Sequence, residues 1–249
     1  MPLLPKIEHP TFKIKVPSTE KTHAFRPFLV KEEKILLMAK ESNSTSDILS
    51  AIRQIVINCS VDEKFDIDKL ALFDLEYVFL KLRSVSVDNV VKVAYRDNED
   101  NKLYYFEVDL EEVEVKFSKK KVDNVVKISE TSGIVLKYPP ASIYGDKDFL
   151  EKSKEHMFDL IVRCIDSVYV NEEVYEAKNI ERKEIEDFLD SLDVKTFKNI
   201  QDFLMTMPKL HKDITYENSN GIKKKIVLKS LNDFFTWRWV IIILRIITI

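Results

Sequence analysis

The sequence of 249 residues predicts an α+β fold, with helical core elements and two β-rich hairpin segments. Apolar residues recur at helical spacing before position 88 and again after position 146, whereas between these stretches they alternate with polar residues. Two short segments, at 97–101 and 218–221, are rich in Asn, Asp, Ser and Gly, which is typical of tight turns between paired strands.

The first region, residues 1–88, is predicted to hold one strand followed by helices. Phe12, Ile14 and Val16 alternate on one face of a strand at 11–16. Helices are expected at about 31–40, at about 46–58 with Ser46 as the N-cap, and from about 68 to 82. The third helix is apolar almost all round, so its neighbours should enclose it.

The second region, residues 89–145, is predicted as a β-rich insert. Strands at 90–95 and 103–110 flank the turn at 97–101. Further strands are expected at 113–117, 125–128 and 134–138, before Pro139 and Pro140 end the insert.

Residues 146–210 are predicted as a helical region, residues 211–235 as a second hairpin, and residues 236–249 as a hydrophobic tail. Three apolar stripes at helical spacing predict the helices. The stripes are Met157, Leu160, Ile161, Cys164 and Val168; Ile185, Phe188, Leu189 and Leu192; and Phe197, Ile200, Phe203, Leu204 and Met207. Strands at 214–217 and 225–228 flank the turn at 218–221.

The composition limits the classes of function. The chain has three glycines, spread from Gly133 to Gly221, whereas phosphate-binding loops need several closely spaced glycines. The net charge is −3 with both signs interspersed, which does not suit a duplex nucleic-acid binder. The lysine runs 119–121 and 223–225 are interpreted as solvated turns or strand edges, with nucleic-acid binding as the alternative.

No catalytic, cofactor-binding or metal-binding residue is predicted. The four histidines do not lie at ligand spacing with another His or a Cys, and the sequence has no HExxH, CxxC or GxSxG motif. Adjacent acidic pairs such as Glu32 and Glu33 are expected on any solvated surface of a chain with 42 acidic residues. The chain is therefore predicted not to be an enzyme. The alternative, a hydrolase, would need a cleft with two acids of clearly different pKa.

The segment Phe25-Arg26-Pro27-Phe28 has the composition of a protein–protein contact. One interpretation is structural: proline fixes the approach to a helix, and both phenylalanines pack in the core. The other is a partner-binding site formed by Phe25, Arg26 and Phe28. If the segment is a partner surface, Arg26→Ala should weaken capture of the partner and leave thermal stability nearly unchanged. If it is structural, the same change should unfold the protein.

Cys59 and Cys164 are the only cysteines, and each lies within an apolar helical pattern. Buried free thiols are typical of a reducing compartment. The first ten residues contain prolines and an acid but no apolar run, so no signal peptide is expected. These features predict a cytoplasmic protein.

The hydrophobic tail is shorter than the roughly 20 apolar residues of a membrane-spanning helix and contains Arg245. A tail that is docked on the core or loosely attached is favoured over an interfacial membrane contact. Trp237 and Trp239 would suit such an interface, but the remaining β-branched residues favour a buried strand.

Several segments resemble the T-even phage baseplate hub assembly proteins. The most specific is His23–Lys34, which reads HAFRPFLVKEEK; others are 35–42, 52–59, 65–82, 108–115 and, more weakly, 214–235. The resemblance covers most of the chain up to about Phe235. It implies a late, chaperone-like factor in the host cytoplasm that promotes assembly of the central hub through contacts with hub or tape-measure proteins. The alternative within the same biology is a structural hub component retained in the virion.

The resemblance also concerns the two hairpin turns. Some relatives carry pairs of cysteines there, like small zinc ribbons, but neither 97–101 nor 218–221 contains a cysteine in this chain. The resemblance therefore implies that hydrogen bonds and side-chain packing hold these hairpins in place of a metal.

Overall fold

The computed structural model describes residues 7–118, 123–151 and 156–234, and it confirms the α+β fold. The first region holds β1 (Phe12–Lys15), β2 (Thr22–Phe25), α1 (Val30–Glu41), α2 (Thr45–Cys59) and α3 (Leu72–Ser86). Strand β2 was not predicted; it pairs with β1 in antiparallel register, with Phe25 opposite Phe12. The N-cap of α2 is Ser44, whose hydroxyl accepts a hydrogen bond from the Asp47 amide at 3.3 Å, so the predicted cap at Ser46 is wrong by two residues.

The five strands predicted between residues 89 and 145 are present, with bounds that differ by up to two residues. The β-rich insert contains β3 (Val90–Arg96), β4 (Leu103–Asp109), β5 (Glu114–Lys116), β6 (Val125–Lys127) and β7 (Ser132–Leu136). Strands β3 and β4 form the expected hairpin about the turn at 97–101. Asn101 takes a positive φ of 56° there, a conformation that asparagine tolerates better than most residues.

The predicted helical region at 146–210 also contains two strands that were not expected. Helices α4 (Lys147–Glu151), α5 (His156–Cys164), α6 (Arg182–Asp190) and α7 (Val194–Met205) are present, but β8 (Ile165–Val170) and β9 (Glu173–Glu176) lie between them. Val168, assigned to the apolar face of a helix, belongs to β8. Its spacing of four from Cys164 fits one face of a helix, but an even spacing also fits one face of a strand, and pairing with β7 decides in favour of the strand.

The C-terminal hairpin is confirmed as β10 (Lys209–Glu217) and β11 (Lys223–Leu228), followed by the short helix α8 (Leu231–Phe234). Gly221 has a φ of 76° in the turn, a left-handed conformation for which glycine has no steric cost. The predicted hydrophobic tail, 236–249, lies outside the described residues, as does the lysine run 119–121.

Two apolar clusters form the core, and they do not follow the predicted regions. The first joins α2 and α3 to β3, β4, β10 and α8, so the end of the described chain packs with its beginning. The second packs α5, α6 and α7 on one face of the antiparallel sheet β6-β7-β8-β9. The β-rich insert is thus divided between the clusters.

Tyr138 connects the two clusters. Its ring meets Phe73 of α3, a helix of the first cluster, edge-on at 5.3 Å and stacks on Phe203 of the second cluster at 5.6 Å between ring centroids. Just beyond it, the Pro139 carbonyl accepts a hydrogen bond of 2.7 Å from the Leu72 amide at the start of α3. This connection sets the sheet of the second cluster against α3.

Candidate partner-binding surfaces

The aromatic residues of the segment 25–28 lie in the core. Phe25 is completely buried at the end of β2 and meets Phe65 edge-on at 5.1 Å. Phe28 is buried too, and its ring lies 5.8 Å from that of Phe79 on α3. Neither ring is available to a partner in this conformation.

Arg26 forms a nearly buried ion pair with Glu32 of α1. Two guanidinium nitrogens donate to the two carboxylate oxygens at 3.0 and 3.1 Å, and a further bond of 2.7 Å reaches the Asn58 carbonyl. The Glu32 side chain is fully buried and also accepts from the Leu29 amide at 3.0 Å. Burial opposes its charge, but the hydrogen bonds from Arg26 and Leu29 outweigh this and lower the pKa of Glu32.

These contacts tie β2, the start of α1 and the end of α2 into one unit. The geometry therefore favours the structural interpretation of Phe25, Arg26 and Phe28. A contact with a partner through these residues stays a prediction.

The turns of the β3–β4 and β10–β11 hairpins lie against each other. Tyr216 donates from its hydroxyl to Asp97 at 2.5 Å, and Lys224 donates to the other oxygen of the same carboxylate at 2.9 Å. Ser219 donates to Asp100 at 3.1 Å from its amide and at 2.8 Å from its hydroxyl.

Aromatic rings pack beside these hydrogen bonds. The ring of Tyr216 contacts those of Tyr95, Tyr104 and Phe106. Hydrogen bonds and aromatic packing join the two turns, as the resemblance implied.

The two aspartates of this junction are held in their charged form. The side chain of Asp97 has no exposed surface. Its partner Lys224, which also pairs with Glu99, is partly exposed, so the site lies just below the protein surface. Desolvation raises the pKa of Asp97, while the hydrogen bonds from Tyr216 and Lys224 act in the opposite direction and lower the pKa to about 2. Desolvation is likewise outweighed at Asp100, whose pKa is lowered mainly by hydrogen bonds from Tyr104 and from Lys102 and Ser219.

The structure does not gather the histidines into a site. His23 pairs with Asp62 at 2.9 Å, and His211 lies 3.0 Å from Asp213 on β10. In residues 7–118, 123–151 and 156–234, no group of three or more His, Cys, Asp or Glu side chains is arranged to hold a metal ion. Cys59 and Cys164 are buried and unpaired, as expected.

Other enclosed acids make contacts that hold elements together. Asp74 at the start of α3 accepts from the amide and hydroxyl of Ser18 at 2.9 and 2.5 Å. Glu76 accepts from the hydroxyl of buried Tyr144 at 2.5 Å. Desolvation raises the pKa of Glu76 to about 7, against the opposing effect of the Tyr144 hydrogen bond.

An open groove of about 760 Å³ lies where β7 continues towards Tyr138. Asn124, Leu136 and Phe203 line it, as does the Lys137–Asp166 ion pair of 3.5 Å. The aromatic rings in the groove are those that join the two clusters, so this surface follows from the core packing.

A more exposed apolar surface lies on the hairpin β8–β9, which sequence reasoning missed. All four residues of β9 are exposed, with Val174 exposed by 65% and Tyr175 by 46%, and Val170 on β8 is exposed too. The signal was the segment Val168–Glu176, in which the strand-forming runs Val168–Val170 and Val174–Tyr175 lie on either side of Asn171. Asn171 has a φ of 54°, typical of a tight hairpin turn.

No helix in the described part of the chain has the length and apolar character needed to cross a membrane. The second lysine run, Lys223–Lys225, lies on β11, where Lys224 and Lys225 form ion pairs with Asp97 and Asp213. These two lysines are therefore engaged in contacts within the protein.

The chain matches one protein family along almost its whole length. The family model described as T4 bacteriophage base plate protein matches residues 9–236. No curated protein and no solved structure matches the chain. The family match includes both hairpin turns and both apolar clusters, and it ends where the hydrophobic tail begins. The chain belongs to the T4 bacteriophage base plate protein family.

Proposed function

We propose that this chain is a non-enzymatic, chaperone-like assembly factor that promotes formation of the central hub of the phage baseplate. The family match over residues 9–236 carries the proposal. The finer assignment rests on the resemblance of segments such as His23–Lys34 to the hub assembly proteins, in particular to the baseplate hub assembly catalyst. In that name, catalysis means the promotion of assembly.

The contacts of the enclosed acids support a role in binding other proteins rather than in catalysis, because these acids are engaged within the fold. Glu32 binds Arg26, Asp97 binds Tyr216 and Lys224, and Asp74 binds Ser18. Each pair or cluster joins separate elements of the fold. The partners that we propose are hub or tape-measure proteins, and the proposed location is the host cytoplasm during tail assembly.

The experiment that tests this proposal is capture from infected cells with the tagged chain, followed by identification of the bound proteins. We expect hub or tape-measure subunits among them, at levels well above those in a capture with an unrelated tagged protein. Capture without any baseplate protein would contradict the proposal.

A structural component retained in the virion is the second candidate, and the family description as a base plate protein favours it. Mass spectrometry of purified particles separates the two. An assembly factor should be lost from finished particles, whereas a structural component should be present in a fixed ratio to the other baseplate proteins.

A further inference from the structure

Strand β9 forms one edge of the four-stranded sheet of the second cluster. Within the described part of the chain, β9 pairs with β8 alone. An edge strand directs the N–H and C=O groups of every second residue away from its sheet, where another strand can bond to them. The edge of β9 is therefore a template for one more strand.

The register shows which backbone groups are available. The two-residue turn at 171–172 makes Val170 and Glu173 the first hydrogen-bonded pair of the hairpin. Because hydrogen-bonded and non-bonded pairs alternate in antiparallel strands, Val174 and Glu176 direct their backbone groups away from β8.

The side chains of β9 offer an apolar centre between two acids. Val174 lies opposite Tyr169, and Tyr175 lies opposite Val168, so each has an apolar neighbour on its own face of the sheet. Glu173 accepts a hydrogen bond from the Tyr175 hydroxyl, and Glu176 pairs with Lys178 at 2.7 Å. The Glu176–Lys178 pair is exposed, so exchanging it for a partner's cation costs little.

The charge pattern argues against a second copy of the chain as the added strand. In an antiparallel pairing of two β9 strands, the outward-directed residues Val174 and Glu176 of one copy must lie opposite these same residues of the other copy. Each such register brings two acidic segments side by side, and the repulsion between them opposes the pairing. Residues 172–181 contain four glutamates and a single lysine, so the surroundings also favour a basic partner.

We infer that β9 accepts an extended segment of another protein, with an apolar centre and with Lys or Arg opposite Glu173 and Glu176. The identity of the partner as a baseplate protein rests on the proposed function; the chemistry of the segment does not. Backbone hydrogen bonds would supply affinity, and the two acidic ends would set register and selectivity.

Two proline variants test the backbone contact. In Val174→Pro the amide hydrogen that points away from β8 is lost, so the hairpin survives but no strand can be added. Val194→Pro is the matched control, because Val194 is 86% exposed and begins α7, where proline is tolerated. We expect Val174→Pro to lose captured baseplate protein while Val194→Pro retains it.

Two synthetic peptides test the charge pattern without any phage protein. Both have a valine–isoleucine centre; one has lysine and the other glutamate at the two flanking positions. The basic peptide should bind the full chain about tenfold more tightly than the acidic one, and the double variant Glu173→Lys, Glu176→Lys should reverse this preference. Hydrogen exchange should show slower exchange of the β9 amides in the complex.

The outcomes separate this inference from the proposed function. If the wild type captures a baseplate protein and Val174→Pro captures it equally well, β9 is not the docking edge, although the proposed function stands. If no baseplate protein is captured but the basic peptide binds along β9, the proposed function is wrong, whereas the inference that β9 accepts an extended segment is retained. Equal binding of the two peptides, or a dimer that Val174→Pro converts to a monomer, would overturn the inference.

Discussion

The hydroxyl of Tyr216 donates a hydrogen bond of 2.5 Å to the carboxylate of Asp97, although 119 residues separate the two in sequence. This bond joins the β10–β11 hairpin to the turn of the β3–β4 hairpin. Lys224 binds the second oxygen of the same carboxylate, so Asp97 is the centre of the junction. Hydrogen bonds hold this junction, and neither of its two turns contains a cysteine.

The first prediction concerns acid stability and Asp97. Its pKa is lowered to about 2, so its stabilising contribution is present above the ordinary value of 3.8 and is lost as the pH falls towards 2. Asp97→Asn should lower the melting temperature by several degrees at pH 6 and should reduce the loss of stability between about pH 4 and 2. Thermal unfolding across this range measures both effects. The exposed Asp202→Asn is the control, and equal acid profiles for the two variants would contradict the prediction.

The second prediction concerns the Arg26–Glu32 pair. Arg26→Ala leaves the carboxylate of Glu32 buried without its partner, and we expect a loss of about 3 kcal/mol in the free energy of unfolding. Denaturant unfolding measures this loss. Lys15→Ala breaks the exposed pair with Glu20 and should change the stability by less than about 1 kcal/mol. A stable Arg26→Ala variant with weakened partner capture would instead restore the partner-site interpretation.

The third prediction concerns Glu76, whose pKa is raised from 4.5 to about 7. The folded protein therefore holds a proton that the unfolded chain releases, and the contribution of this group to stability falls as the pH rises from about 4.5 through 7. Glu76→Gln can still accept the Tyr144 hydrogen bond and carries no charge. It should be more stable than the wild type at pH 8, by about 1–3 kcal/mol, and nearly equal at pH 4.

Denaturant unfolding at the two pH values tests this prediction. Glu63→Gln, at an exposed position, is the control and should follow the wild type at both. If Glu76→Gln is the less stable protein at pH 8, the charged carboxylate is favourable in the folded state and the prediction is wrong.

The fourth prediction concerns metal content. A zinc ribbon needs four thiolate or imidazole ligands, and the two turns contain neither Cys nor His. The purified protein should hold no stoichiometric zinc, and a chelator should leave its melting temperature unchanged. One zinc ion per chain in elemental analysis would refute this.

The fifth prediction concerns the hydrophobic tail. Because the family match ends at residue 236, removal of Trp237 to Ile249 should leave a soluble protein that unfolds cooperatively. Calorimetry and liposome flotation of the full and truncated chains provide the comparison. Loss of the cooperative transition would make the tail part of the core, and flotation that depends on the tail would make it a membrane anchor.

The sequence by itself determined the elements whose signals are local. The alternation at 90–95 and 103–110, the turn residues between them and the apolar stripe of α2 each depend on near neighbours, and all three elements are present as predicted. The expectation that the two turns are held without cysteine also followed from the sequence, through the resemblance.

Only the tertiary structure decided what depends on distant partners. Val168 has helical spacing from Cys164, but pairing of β8 with β7 and β9 makes it part of a strand. Arg26 has the composition of a contact residue, but Glu32 and the Asn58 carbonyl enclose it. Nothing in the sequence indicates that Tyr216 contacts Asp97, because a hydrogen bond between hairpins depends on how the hairpins pack. Local periodicity specifies elements, whereas burial and charge pairing are properties of the assembled fold.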